Sequence, residues 1–307
     1  MNQFQNLLEA TQYFKDEDVC RKYLEQLIWN GTPKCPHCES TKVYHLKDGK
    51  NYKCANKECK SIFNVKVGTY LENTKIPLRK WMHAIFIFAS HKKGISSYQL
   101  ARDISVSQKC AWFLLSRIRG ILTDKAPFMF DSITEIDETY MGGKAINMHA
   151  SKKEYDVNGE LIENKTPVLG IVDRDGHSTL IPLKKATKKQ IFSIINERIK
   201  QGSTVVTDSY TLYHSLKEKY NHHSVDHSAK EYVRGIFHTN TVEGFFSHLK
   251  RGIYGVYHQA SEKHLHRYCN EFSFRYNTRK NKEVERFNIA LTQMTGRLTW
   301  NELTKKS

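Results

Sequence analysis

The chain has 307 residues, 39% of them hydrophobic, so it can build a core, and it is long for one compact domain. Its 48 Lys and Arg against 32 Asp and Glu give a net charge of +16, which favours a polyanionic partner, most often nucleic acid, over an inert or membrane-facing basic surface. The most apolar run, residues 81–89, is too short to cross a membrane, and no secretory signal is visible. These features argue against a membrane or secreted protein, and we expect a cytoplasmic one.

The N-terminal part divides into two segments. Residues 1–30 have apolar side chains at helical spacing, which predicts a helical segment. Residues 31–70 contain four of the seven cysteines, in two close pairs on either side of a hairpin pattern. The pairs are Cys35-Pro-His-Cys38 and Cys54-Ala-Asn-Lys-Glu-Cys59.

Two such pairs predict a zinc ribbon with one structural Zn²⁺, because a segment this small has too little core to fold without the metal. The predicted ligands are Cys35, Cys38, Cys54 and Cys59. The second pair is more widely spaced than CxxC, and the alternative is four unpaired thiols. An odd number of cysteines with one tight cluster fits a reducing cytoplasm better than a disulfide scaffold.

Residues 71–125 have a helical pattern, with one helix predicted at 76–90 and a helix, a turn and a second helix over 94–119. Serines able to cap these last two helices are Ser96 or Ser97 for the first and Ser105 or Ser107 for the second. This order is typical of a helix-turn-helix DNA-binding region.

The second helix of such a motif meets the DNA groove, so basic residues on or near it are candidate DNA contacts. The candidates are Lys109, Arg117 and Arg119. The alternative is an ordinary helical hairpin whose core includes Trp112, Leu115 and Ile118.

Residues 126–285 alternate strand and helix patterns, which predicts an α/β domain, and residues 286–307 are predicted to be a tail. Expected strands lie at 131–140, 167–173, 178–183, 203–208 and 224–226, with an Asp175-Gly176 turn between the second and third. Expected helices lie at 187–199 and 212–220, from 241 onward, and at 264–278.

Three acidic residues in this domain are candidates for one metal site. Asp137 lies in the first strand, Asp208 ends the fourth, and Glu243 opens the long helix. Two strand aspartates and a helix glutamate can converge on two divalent cations, which is the arrangement that in-line phosphoryl transfer needs.

Each acid also has a structural alternative. Asp137 could be one of three solvated charges with Glu135 and Glu138. Asp208 could cap the helix that follows its strand. Asn240 and Glu243 have the spacing of a capping box, with Asn240 as the cap.

The order of these elements resembles the ribonuclease H-like fold of the retroviral-integrase-type nucleotidyl transferases, the DDE transposases. The 35-residue step from Asp208 to Glu243 is similar to the spacing in many of them, and so is Lys250, seven residues further along the same helix face. Closer still, the chain resembles bacterial insertion-sequence transposases that have an N-terminal zinc ribbon and helix-turn-helix. The matching motifs lie at 35–38, 135–144 and 238–258, and the resemblance covers about residues 15–280.

The resemblance implies an α/β ribonuclease H-like mixed sheet flanked by helices, and two Mg²⁺ or Mn²⁺ ions per active site on Asp137, Asp208 and Glu243. In relatives of this group Asn can replace the third acid, so Asn240 competes with Glu243 for that role. His238 is a candidate accessory residue, and Lys250 is expected to contact DNA near the cut. The implied activity is strand cleavage at the element's terminal repeats and transfer into target DNA, by a homodimer or larger assembly in the bacterial cytoplasm, at the nucleoid when bound to DNA.

Basic and aromatic residues interleave in the last third of the chain, where residues 230–307 include 14 Lys and Arg against 7 Asp and Glu. Such a surface can follow a phosphate backbone and stack on frayed bases, and Arg251 and Tyr254 belong to it. The alternative for the aromatic residues is plain helix core. Two competing functions stay open: a non-catalytic DNA-binding regulator, and a nuclease without joining activity.

Overall fold

The computed structural model describes residues 4–123, 128–143, 145–162, 165–226, 229, 231 and 233–305. The chain forms two compact units, one of Met1–Thr123 with Lys280–Ser307 and one of Asp124–Arg279. Among the helices of the described ranges, none has the length and apolar character needed to cross a membrane.

The first unit contains the predicted N-terminal helices, the cysteine segment and the helix pair. Its elements to residue 121 are α1 (Leu7–Tyr13), α2 (Glu17–Trp29), β1 (Val43–His45), β2 (Tyr52–Cys54), β3 (Ile62–Phe63), α3 (Leu78–Ser90), α4 (Ser97–Asp103) and α5 (Gln108–Ile121). Ser96 caps α4 and Ser107 caps α5, each accepting a hydrogen bond from a backbone amide of the first turn. The predicted helix, turn and helix are thus present.

The second unit is an α/β domain. Its strands and helices are β4 (Thr134–Met141), β5 (Thr166–Asp173), β6 (Ser178–Pro182), α6 (Lys188–Arg198), β7 (Thr204–Asp208), β8 (Asn221–Val225), β9 (Val233–Arg234), β10 (Phe237–His238), α7 (Asn240–Gly252) and α8 (Glu262–Asn277). A 3-10 helix, Thr211–Glu218, replaces most of the α-helix predicted at 212–220, and a π-helical turn, Ile253–Tyr257, extends α7.

Five of these strands form one mixed sheet in the order β6-β5-β4-β7-β8. The pairs β4/β5 and β5/β6 are antiparallel, and the pairs β4/β7 and β7/β8 are parallel. One face packs on α6 through residues such as Ile136 and Ile191, and the other packs on α7 and α8 through residues such as Val168 and Phe245. The mixed sheet flanked by helices confirms the predicted fold class.

Where β4 and β7 separate, the sheet opens a gap. Their ladder joins only Thr134 to Val205 and Glu135 to Val206. Asp137 and Asp208 each lie two residues beyond the last pair. This topology therefore places both aspartates just beyond the paired part of two adjacent parallel strands, Asp208 at the carboxyl end of β7 and Asp137 midway along β4.

The C-terminal segment differs from the tail predicted at 286–307. It forms α9 (Glu283–Thr292) and α10 (Trp300–Thr304), which belong to the first unit. Phe287 is fully buried in an aromatic cluster, with its ring centroid 5.8 Å from that of Phe14 and 5.5 Å from that of Phe86. These partners are about 200 residues or more away along the chain, so no local pattern signals them.

Candidate active site and zinc centre

Three carboxylates share one electrostatic environment at the gap between β4 and β7. Asp137 is the fourth residue of β4, Asp208 is the last of β7, and Glu243 lies in the first turn of α7. Burial raises the pKa of Asp137 to about 7, and the negative charges of Asp208, Glu138 and Glu243 add to the shift. The three predicted acids are therefore near enough for the charges of Asp208 and Glu243 to act on Asp137.

Gly170 allows α7 to lie directly on the sheet beside Asp137. It is the cross-strand partner of Asp137 on β5. A Cβ atom at Gly170 would lie 2.6 Å from Cε1 of Phe246 and 2.9 Å from Cγ2 of Val242, closer than real contacts allow. The absence of a side chain at Gly170 thus fixes the distance of α7 from the sheet, and Glu243 directly follows Val242.

The start of α7 differs from the predicted capping box. The helix begins at Asn240 with Thr239 as its N-cap. Oε2 of Glu135 accepts hydrogen bonds from the Thr241 and Val242 amides at 2.8 and 3.0 Å, and Oε1 of Glu243 accepts one from the Thr239 hydroxyl at 3.1 Å. Because a strand carboxylate binds the helix amides, the proposed Asn240–Glu243 capping box is wrong and does not account for Glu243.

Glu135 also carries a buried ion pair. Its side chain is 1% exposed, and Nη1 of Arg174 lies 2.6 Å from its Oε1. Arg174 donates further bonds to the Thr241 hydroxyl and the Ile236 carbonyl, both at 3.1 Å, and Nδ1 of His238 lies 3.4 Å from Oε1 of Glu135. The alternative in which Glu135 is a solvated charge is therefore wrong. Sequence reasoning missed this role, although the position of Glu135 two residues before Asp137 put both on one strand face.

Asp208 and Asp173 have different local roles. Oδ1 of Asp208 accepts a bond from the Tyr210 amide at 3.1 Å, and the 3-10 helix begins after Tyr210, so this is a turn contact rather than a helix cap. Asp173 accepts bonds from the Gly176 and His177 amides at 2.7 Å each and stabilises the β5–β6 turn, as expected of a turn residue. Asn240, the competing third ligand, is exposed in the first turn of α7.

The carboxylate group fits divalent cations that prefer oxygen ligands. Three acids crowded around a half-buried aspartate repel one another, and a cation would relieve that repulsion. Among the described residues, the four cysteines are the one set of three or more metal-type ligands whose ligand atoms all lie within 4.8 Å. The carboxylates are thus not within that distance of one another as a set.

The four cysteines form a site of the size that Zn²⁺ needs. Sγ of Cys35 lies 3.6 Å from Sγ of Cys59, and Sγ of Cys38 lies 3.5 Å from Sγ of Cys54. The hydroxyl of Ser61, 3.3 Å from Sγ of Cys59, lowers the pKa of that thiol to about 6, which favours the thiolate that zinc binds. The predicted zinc ribbon is confirmed as a four-cysteine site on the β1–β3 hairpins.

The three basic residues predicted on the second helix of the helix-turn-helix have different surroundings. Lys109 is exposed near the start of α5. Arg117 and Arg119 are only 7% and 2% exposed, and Nε of Arg117 donates to the carbonyl of Leu298 at 3.0 Å. The prediction that these two arginines contact DNA is therefore corrected. Both are buried, because α5 is covered from residue 114 onward. Tyr98 and Arg102 on α4, which sequence reasoning did not select, are exposed.

Lys250 and Arg251 lie exposed in the last turn of α7. Lys250 lines a cleft of about 580 Å³ together with Glu138, the residue after Asp137. The cleft therefore has both a lysine of α7 and a neighbour of Asp137 in its lining.

Two parts of the chain, the α/β domain and the cysteine segment, match known protein families. Residues 130–277 match the ISXO2-like transposase domain, and residues 15–61 match the transposase zinc-ribbon domain. The chain is also similar to an uncharacterized protein in transposable element ISH50 of Halobacterium salinarum, with 28% identity over 274 residues, 85% of this chain and 91% of that protein. The family resemblance predicted from the motifs is confirmed.

Proposed function

We propose that the chain, whose residues 130–277 match the ISXO2-like transposase domain, is an insertion-sequence transposase that cuts the ends of its element and joins them to target DNA. The observation that supports this proposal most directly is the raised pKa of Asp137, about 7, which burial and then the negative charges of Asp208, Glu138 and Glu243 produce, as expected of acids that share a metal site. DNA is the partner that the family and the +16 charge both indicate.

The three carboxylates would hold two Mg²⁺ or Mn²⁺ ions. Such ions, when bound, stabilise the charge on the reacting phosphate and favour deprotonation of the attacking hydroxyl or water. Glu243 is the preferred third ligand because its charge acts on Asp137, whereas Asn240 is an accessory candidate. His238, beside the buried Glu135, would support the start of α7 rather than the metals.

The reaction would have two steps at the same carboxylates. In the first, water attacks the phosphodiester at the element end, a P–O bond to water forms, and the bond to the 3′ oxygen breaks to leave a free 3′-hydroxyl. In the second, that hydroxyl attacks a phosphodiester of the target and displaces a new 3′ oxygen. Lys250 and Arg251 would bind the phosphates beside the cut, and no covalent protein–DNA intermediate forms.

Terminal-repeat binding would fall to the first unit, through the zinc ribbon, the exposed start of α5 with Lys109, and α4. A homodimer or larger assembly would hold both element ends, since each end needs its own active site. The buried Arg117 and Arg119 take no part in this binding.

The test is a cleavage and joining assay with labelled terminal-repeat DNA, a supercoiled target plasmid, and Mg²⁺ or Mn²⁺. We expect wild type to produce nicked ends and joined product, and Asp208→Asn to abolish both while still binding the repeats. Binding without cutting would indicate a regulator, and cutting without joining would indicate a nuclease. Full activity of Asp208→Asn would contradict the proposed site. Comparing Glu243→Gln with Asn240→Ala identifies the third ligand, since only the true ligand should be essential.

A further inference from the structure

Beyond the carboxylates, a cleft runs along the end of β4 toward the end of α7. Its outer part is about 580 Å³ in volume, and the residues lining it are Glu138, Thr139, Tyr140, Gly142, Gly143, Lys165, Lys250 and Tyr254. A second, more enclosed hollow of about 340 Å³ adjoins it, sharing Gly142, Gly143 and Tyr254. The two hollows together are of a size to hold one nucleotide.

The chemistry of the outer part is that of a nucleotide site. Lys165 and Lys250 supply positive charge. Tyr140 and Tyr254 are 53% and 45% exposed, which leaves aromatic surface open to a ligand. Lysines bind phosphates, and exposed tyrosine rings provide faces on which a base of any sequence can stack.

The wall between the two hollows is built to hold Tyr254 in place. The hydroxyl of Tyr254 donates to the carbonyl of Gly142 at 3.3 Å, and Tyr254 belongs to the π-helical turn that follows α7. Such turns are rare and are frequently found at functional sites. A Cβ atom at Gly143 would meet nothing within 4 Å, so the wall has room there for a ligand to approach the backbone.

The cleft lies at a defined distance from the carboxylates. Tyr140 is three residues beyond Asp137 on β4, about 10 Å at 3.3 Å per residue. Lys250 is seven residues beyond Glu243 on α7, also about 10 Å at 1.5 Å per residue. With about 3.4 Å of axial rise per nucleotide of a stacked strand, the cleft is within roughly three nucleotides of the cut.

We propose that this cleft binds an unpaired nucleotide of the DNA strand next to the cut, with its phosphate at Lys165 and Lys250 and its base against Tyr140 and Tyr254. A paired duplex offers its phosphates to the lysines, but its base faces are covered by neighbouring bases. The exposed rings therefore select a frayed or single strand. The proposal rests on the proposed function for its position next to the cut, and it assigns roles to Lys165, Tyr140 and Tyr254.

Binding of two probes tests the proposal without catalysis. The probes are fluorescein-labelled single-stranded dT10 and a blunt hairpin duplex of equal charge, measured by fluorescence anisotropy without added divalent ion. We expect dT10 binding to weaken about fivefold or more in each of three variants: Tyr254→Ala, Tyr140→Ala and Lys165→Gln. The two tyrosine variants should change duplex binding less than twofold. Tyr254→Phe, which keeps the ring and loses the hydroxyl, should retain most of the affinity for dT10.

Matched controls come from the same unit. Tyr155→Ala removes an exposed tyrosine, 60% exposed and outside the cleft, and Lys189→Gln removes an exposed lysine of α6. Both should bind dT10 as wild type does. A 2-aminopurine base in the strand should lose fluorescence on binding to wild type, through stacking, and keep it with Tyr140→Ala.

The proposal is overturned if the tyrosine variants bind dT10 as tightly as wild type, or if they lose duplex and single-strand binding equally while unfolding at the wild-type temperature. If Tyr254→Ala fails to fold, the 2-aminopurine signal of Tyr140→Ala decides the question. If the cleft variants bind the single strand normally and Asp208→Asn is inactive, the nucleotide site is rejected and the transposase function is supported. If the cleft variants bind the single strand weakly and Asp208→Asn is fully active, the nucleotide site is supported and the proposed carboxylate site is rejected.

Discussion

Two acids on β4, two residues apart and facing the same way, have opposite surroundings. Glu135 is neutralised by Arg174 and by two amides of α7. Asp137 is half-buried among other carboxylates, which raises its pKa to about 7. The first carboxylate therefore stabilises the fold in its charged form, and the second destabilises it until a proton or a cation arrives.

The Asp137 carboxyl predicts a pH dependence of stability. Its folded pKa of about 7 lies above its usual value of 3.8, so its contribution to stability is complete below about pH 3.8 and is lost as the pH rises to about 7. At pH 8 without divalent ions, the free energy of unfolding of Asp137→Asn, measured with urea, should exceed that of wild type by on the order of 2–4 kcal/mol. This difference should be smaller at pH 5. Millimolar Mg²⁺ should stabilise wild type and not the variant.

The control for that measurement is Asp175→Asn, an exposed acid in the β5–β6 turn where Asn before Gly is equally suited. It should match wild type at both pH values. An Asp137→Asn variant no more stable than wild type at pH 8 would show that the carboxylates do not repel one another.

Removing the negative charge of Glu135 should destabilise the protein. Glu135→Gln leaves the Arg174 guanidinium without its anion and weakens the interaction with the N-terminus of α7, so it should destabilise the second unit by about 3 kcal/mol in urea unfolding. Glu197→Gln, which removes the exposed acid of a 3.5 Å pair with the part-buried Arg198, should cost at most about 1 kcal/mol, because the Glu197 carboxylate is well solvated. Equal effects of the two changes would contradict a buried ion pair.

At the scale of elements, α7 is placed by its contact with Gly170. Gly170→Ala should force Phe246 and Val242 away from the sheet, destabilise the second unit by about 1–3 kcal/mol and reduce end cleavage, because Glu243 moves with the helix. Gly244→Ala is the matched control, since a Cβ there meets nothing within 4 Å and an alanine favours the helix. Unfolding and cleavage measured together separate a shift of Glu243 from simple loss of fold.

The zinc ribbon predicts one tightly bound Zn²⁺ per chain. Cys54→Ser should release the metal, measured by elemental analysis of protein purified without chelator, and should disorder the hairpins around Tyr52 and Phe63, because their small core cannot fold alone. Cys110→Ser, which changes a cysteine outside the cluster, should retain the zinc. Zinc-free wild type would contradict the site.

How far the sequence predicted these elements depends on the range of the contacts. The strands of the sheet, the helix pair and the cysteine ligands follow from local periodicity and spacing, and so they were predictable. The capping of α7 by Glu135 joins residues more than 100 positions apart, and the buried Arg117 donates to the Leu298 carbonyl, 181 positions away. No local pattern contains either contact, so an exposed role for Arg117 and a capping box at Asn240 were the natural but incorrect predictions.

At the scale of the whole molecule, charge governs the encounter with DNA. A net charge of +16 makes binding strongly dependent on salt, because each neutralised phosphate releases counterions. Lys250 lies two turns from Glu243 along α7, so the proposed phosphate contact and the proposed metal ligand are on one helix.

This adjacency predicts a measurable change for one lysine. Lys250→Gln should weaken binding to DNA of any sequence by a similar factor and reduce the slope of log K against log salt by about 1, since one phosphate contact is lost. Lys189→Gln on α6 should leave the slope unchanged. Titrations from about 50 to 200 mM salt measure both slopes, a range over which six to ten phosphate contacts change affinity by about 10³–10⁵. An unchanged slope for Lys250→Gln would show that Lys250 does not contact a DNA phosphate. Arg251 and the first unit would then account for binding.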